Sequence, residues 1–197
     1  MSDEKNSADG VRDHATDDDS PHAHQAPERH PGLVRRLVVV SASYTSDGAQ
    51  PELHETIPSI TPETFSGTPI ETAYLEVAPN PEDFPRLVEK VGRLDATPFA
   101  WPEEDVRGIG APTMIVVGDA DVVRLEHAVE MFCLLGGGAM GDLAGFSKAR
   151  LAVLPGTSHF VPPGSGVMDR AEWLLSLVPQ FLEAPMPEAA TEEAAAG

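Results

Sequence analysis

Cysteine is nearly absent from this chain. Cys133 is the single one in 197 residues, so no intrachain disulfide can form, and a reducing compartment fits. Basic residues are scarce as well: 13 Lys and Arg stand against 32 Asp and Glu, for a formal net charge of −19. A surface of that sign repels phosphates, which argues against nucleic acid as a partner and disfavours anionic membranes. Also missing is any apolar run of membrane-spanning length, and the opening MSDEKNSADG has no apolar stretch behind it as a secretory signal would. Together these absences predict a cytoplasmic protein. At this length one core is expected and two full domains are not.

What is present is unevenly spread. Residues 1–29 are rich in Asp, Ser, His and Pro with no helix or strand periodicity, and they bury too little apolar surface to offset their ordering entropy. They are expected to form a disordered acidic tail. The same holds for residues 185–197, PMPEAATEEAAAG. The organised region is therefore 30–184.

Inside it, three short apolar runs stand out: Leu37–Val40, Thr113–Val117 and Leu151–Leu154. None alternates as a half-exposed strand would, so each suits a parallel sheet covered on both faces. Leu125, Ala128, Val129, Phe132 and Cys133 fall on one helical face, with Gly136 as the stop. On that pattern Cys133 belongs to the core and His127 to solvent. Leu174, Leu177, Val178, Phe181 and Leu182 form a later stripe, with Asp169 as its expected N-cap and Pro179 as an expected kink. Strand and helix alternate, which predicts an α/β fold. Residues 44–110 are dense in proline, with Ile70–Val77 and Phe84–Leu94 the best helical stretches. A connection that long is expected to be a helical insertion over the sheet.

Ligands of parallel α/β sheets bind beyond the carboxyl ends of the strands. Two of those ends carry chemistry: Gly118-Asp-Ala-Asp121, and then Gly156-Thr-Ser-His159. A carboxylate and a histidine on successive strand ends suit a catalytic triad, in which the acid fixes the imidazole tautomer and the other ring nitrogen serves a nucleophile. Asp119 is the alternative acid, or a cap for the following helix.

The stretches APTMIVVGDADVVRLEHAVEMF, RLAVLPGTSHF and DRAEWLLSLVPQFL resemble the C-terminal third of α/β hydrolases, the esterase and lipase-like enzymes with a helical cap. Upstream, RHPGLVRRLVVVSA resembles the strand after the nucleophile-bearing helix, and residues 44–110 then match the cap. The resemblance implies a partial α/β-hydrolase fold of about three parallel strands, with Asp121 as the acid and His159 as the base, in the family order. It also implies a Gly-x-Ser-x-Gly elbow, and none occurs in the chain. The expectation is a protein of esterase or lipase-like descent that is inactive alone: a truncated product, half of a split enzyme, or a repurposed fragment. Its partners would be a small apolar or ester-like ligand, a second copy of itself, or a complementing chain. Alternatively, it is a non-catalytic binding or docking module.

Other features carry less. Gly136-Gly-Gly138-Ala-Met-Gly141 matches a dinucleotide fingerprint in letters only, because it follows a helix instead of a strand. His14, His22, His24 and His30 are irregularly spaced in the acidic tail and predict no metal site. His54-Glu55 begins like a zinc-protease motif, but Pro58 stands where the second histidine belongs. Ser41 and Ser43, at a strand end, are candidate stand-in nucleophiles without an elbow to expose them. No cofactor is implied.

Overall fold

The computed structural model describes residues 33–185. The expectations for both tails, and for His14, His22, His24 and His30, lie outside the described residues. Three strands, β1 (Leu37–Val40), β2 (Thr113–Ala120) and β3 (Ala149–Ser158), form a parallel sheet in the order β1-β2-β3. β2 lies in the middle and is buried from Thr113 to Gly118. Its continuous apolar run divides by parity. Ile115 and Val117 face one core with Ala128, Met131 and Leu135, while Met114 and Val116 face a second with Leu154 and Phe181. A strand covered on both faces has no polar side to alternate with, which is why its sequence reads as an unbroken run.

The connection from β1 to β2 is helical: α1 (Pro51–Thr56), α2 (Pro69–Val77), α3 (Phe84–Asp95) and α4 (Glu103–Gly108). Many of its prolines stand in the first turns of helices, Pro51, Pro69 and Pro85 among them. There a missing N–H costs nothing, because it would have had no intrahelical partner. After β2 come α5 (Leu125–Leu134), the single turn α6 (Gly141–Ala144), β3, and α7 (Ala171–Glu183), which carries Pro179 inside it.

Three local expectations are corrected. Cys133 and Val129 are exposed, and His127 is 2% exposed. The buried row of α5 is His127, Ala128, Met131 and, just beyond the helix, Leu135. Val129 and Cys133, four apart, lie on a neighbouring row that faces outward. The apolar letters were consistent with either phase, and a buried imidazole decided it. Asp169 is not the N-cap of α7. Arg170 holds that position, while the Asp169 carboxylate accepts from the Gly166 N–H at 3.0 Å and closes its own short turn.

The burial of His127 has a structural cause. The ring stacks on Tyr44 with centroids 4.4 Å apart and planes at 21°, and its Nε2 accepts the Tyr44 N–H at 3.3 Å. A Cβ on Gly48 would lie 2.5 Å from the imidazole. His127 thus clamps the point where the chain leaves β1. Nearby, Gln50 N–H donates to Val122 O at 2.7 Å, Arg124 N–H donates to Gly48 O at 2.9 Å, and the Arg124 guanidinium donates to Asp47 O at 2.7 and 3.0 Å. The other end of the helical connection closes on the same place, with Trp101 N–H on Tyr44 O and Ser46 N–H on Phe99 O. Burial, with Glu130 beside it, pushes the Tyr44 phenol up to about 12.

Burial likewise holds His127 below the ordinary imidazole range, against the pull of the Glu130 carboxylate. The unfolded chain therefore takes a proton near pH 6.5 that the native chain refuses. Stability should be full above that pH and decline as the pH falls toward the depressed native value. Urea midpoints measured across pH 5–8 should drop on the acid side. In His127→Gln, whose amide oxygen can still accept from Tyr44, this fall should be shallower.

Candidate functional site

Three strand ends converge on one carboxylate. Asp121 follows β2, and its side chain is fully buried. Its Oδ1 lies 3.1 Å from Nδ1 of His159, just past β3, and 3.4 Å from the Val123 N–H. Its Oδ2 takes the Ser41 hydroxyl at 2.5 Å and the Gly118 N–H at 3.1 Å. Burial, the largest influence, raises the acid, but the hydrogen bonds from His159, Ser41, Gly118 and Val123 together outweigh it and hold Asp121 below its ordinary range. A buried anion without such donors would instead take up a proton.

His159 is bonded to Asp121 through Nδ1 and stays 36% exposed. No hydrogen bond to its Nε2 occurs among the described residues. The Phe160 ring meets the imidazole edge-on at 5.4 Å. From the helical connection comes Asp95, at the end of α3; burial, the larger influence, raises its carboxyl above the ordinary range, against the lowering charge of His159.

Asp119, the alternative acid, is engaged elsewhere. Its carboxylate accepts from the Gly156 N–H at 2.9 Å and the Thr157 N–H at 3.0 Å, and these two bonds hold it below its ordinary range. The pairing of β2 with β3 shifts register here, from Gly118 opposite Leu154 to Ala120 opposite Ser158. Three residues of β3, Pro155 to Thr157, bulge between those pairs. Asp119 pins the bulge, which brings His159 back over Asp121. Arg170 ties the same turn from the other side, donating to Thr157 Oγ1 at 3.0 Å and Gly156 O at 2.6 Å.

The two stand-in serines differ. Ser41 is in contact with the acid, through Oδ2, the oxygen that His159 does not use. Ser43 makes no hydrogen bond to either site residue among the described residues. Ser165 donates to Pro162 O at 2.6 Å and pairs with Ser158 at 2.7 Å. Of the weaker candidates, His54 lies on α1 with its Nε2 2.9 Å from Ser46 O. It lines a cavity of about 270 Å³ together with Ser46, Asp47, Ile57, Asp95 and Pro98. Among the described residues, no group of three or more His, Cys, Asp or Glu is placed to hold a metal ion. Sequence reasoning missed Asp95 altogether: it falls one residue beyond the expected helix end, with no motif around it.

No protein-family model matches the sequence, and no curated protein does either. Solved structures do match its fold. The chain is similar to NosK from Streptomyces actuosus, at 19% identity and a TM-score of 0.51, over 81% of this chain and 62% of that one. It is also similar to MGS-M2, an α/β hydrolase enzyme from a Medee basin deep-sea metagenome library, at 16% identity and a TM-score of 0.51, over 86% and 63%. A carboxylesterase of the thaumarchaeon Nitrososphaera gargenis matches at 16% identity and a TM-score of 0.52, over 81% and 59%. The fold is that of part of an α/β hydrolase. The chain spans about 60% of the length of these structures.

The geometry makes Gly118 indispensable. A Cβ there would lie 2.1 Å from the Thr157 carbonyl oxygen, in backbone that Asp119 and Arg170 already hold. Gly118→Ala should cost about 3 kcal/mol in urea denaturation, the upper range for overpacking. An unchanged urea midpoint would contradict the account of how β2 and β3 close at the site.

Proposed function

We propose that this chain carries the acid and the histidine of a hydrolase active site of esterase or lipase-like descent, and that it does not turn substrate over by itself. The observation that supports this best is the Asp121–His159 hydrogen bond, with Nε2 of His159 left without a hydrogen-bonding partner among the described residues. In such a pair the carboxylate orients the imidazole and stabilises its protonated form, so that Nε2 is the position from which a hydroxyl would be activated. The 197 residues contain no Gly-x-Ser-x-Gly elbow, and the Ser41 hydroxyl donates to the acid. The helical connection α1–α4 would act as the cap.

Removing a triad member commonly leaves ~10³–10⁴-fold catalysis from the oxyanion hole and substrate binding. This chain offers no elbow to build that hole. Purified protein should therefore hydrolyse activated esters no faster than free imidazole, and a fluorophosphonate probe should not label it. Labelling abolished by Ser41→Ala or Ser43→Ala would overturn the reading.

The cavity beside Asp95 favours a second reading, in which a small ligand is held without turnover. Its walls combine apolar Ile57 and Pro98 with polar Ser46 and His54, a mixture typical of ligand sites. Saturable shifts of the Asp95 and His54 resonances with a short-chain ester, without hydrolysis, would favour it.

As for partners, β1 pairs on one side only among the described residues. Leu87, Val91 and Leu94 make a half-exposed stripe on α3 at helical spacing. Self-association or a complementing chain would cover such surface. Light scattering should detect species larger than a monomer, and hydrophobic dyes should bind. A monomer that melts cooperatively and ignores the dye would contradict this.

A further inference from the structure

Ser41 ends β1 in a conformation that its side chain does not favour. Its φ is +48°, and it is the only residue other than glycine in the left-handed region among the described residues. For an L residue that region costs energy, which glycine would avoid. The backbone is nevertheless well fastened, since the Ser41 N–H donates to Val116 O at 2.9 Å. The hydroxyl donates to Asp121 Oδ2 at 2.5 Å. That length suits an O–H donor on an ionised carboxylate, one of the stronger neutral-to-charged hydrogen bonds. A strained residue whose side chain reaches the central acid of a site is a candidate for function, because the surrounding structure must hold it there.

The two carboxylate oxygens divide their work. Oδ1 faces His159 and the Val123 N–H, while Oδ2 faces Ser41 and the Gly118 N–H. The donors on Oδ2 fix the rotation of the carboxylate about Cβ–Cγ, and so fix where Oδ1 points. Gly118 belongs to the strand that carries Asp121. Ser41 alone reaches it from β1.

We infer that Ser41 is a positioning residue of this site: its hydroxyl holds the Asp121 carboxylate in the rotation that presents Oδ1 to His159 Nδ1, and it is not a nucleophile. The inference rests on the acid-and-histidine reading above and deepens it. Ser41 acts through Asp121 and touches no reacting atom. Its left-handed backbone is what turns the chain at the end of β1 so that the hydroxyl meets a carboxylate one strand away.

The test is the titration of Asp121, followed by carboxyl ¹³C NMR with Asp121→Asn to assign the signal. In Ser41→Ala and Ser41→Gly, the acid dissociation constant of Asp121 should fall about tenfold, as expected for loss of one hydrogen bond to a charged group. Ser41→Gly relieves the backbone and so offsets part of the lost hydrogen bond, which should keep it folded even if Ser41→Ala does not fold. A residue that merely served the turn would change stability and leave the Asp121 titration in place. An unmoved Asp121 titration in Ser41→Gly would overturn the inference. Failure of the acid-and-histidine reading would show separately, as a His159 Nδ1–H resonance that survives Asp121→Ala.

Discussion

A single buried carboxylate organises this structure. Asp121 accepts hydrogen bonds from the ends of all three strands: Ser41 after β1, Gly118 in β2 and His159 after β3. Val123 N–H adds a fourth from the turn that leads into α5. An ionised acid in that position is tolerated only because every donor is in place; removing a partner from a buried charge typically costs about 3–5 kcal/mol. The requirement propagates outward. It demands that β3 bulge, that Asp119 and Arg170 hold the bulge, and that position 118 carry no side chain.

The two aspartates of Gly-Asp-Ala-Asp are therefore not interchangeable. Asp119 builds the scaffold by capping backbone N–H groups of β3, and Asp121 faces the imidazole. They are two residues apart at the end of one strand, and the register shift between β2 and β3 separates their roles. Around this centre the helical connection is anchored at one neck, where His127, Tyr44 and Arg124 join it to α5. From the same connection comes Asp95, whose carboxyl is lowered by the charge of His159 against the larger effect of burial.

Much of this was legible in the letters. The three apolar runs became the three parallel strands, because a doubly covered strand needs an unbroken run and little else in a short chain does. The helices Pro69–Val77 and Phe84–Asp95 followed their apolar spacing and their prolines. Strand-end placement also marked the two aspartates and His159 for inspection, and the resemblance to α/β hydrolases singled out Asp121 as the acid. What stayed hidden depends on rotation and on distant contacts. The facing of α5 turned on whether His127 or Cys133 pointed inward, and neighbouring apolar rows made both phases plausible. Asp169 had the chemistry of a cap, but a local turn took its carboxylate first. Ser41 was visible as a hydroxyl at a strand end, yet its left-handed backbone and its donation to Asp121 are tertiary facts. Asp95 had no local signal, since only the folding of the connection brings it near the histidine.

The central claim is that Asp121 holds His159 by its Nδ1 proton, leaving Nε2 for a hydroxyl. Proton NMR of the His159 Nδ1–H addresses it most directly. The expected result is a slowly exchanging, strongly downfield resonance that disappears in Asp121→Ala and persists in Asp119→Ala. A resonance lost in Asp119→Ala and retained in Asp121→Ala, or absent from the unmodified protein at every pH where it is folded, would contradict the pairing on which this account rests.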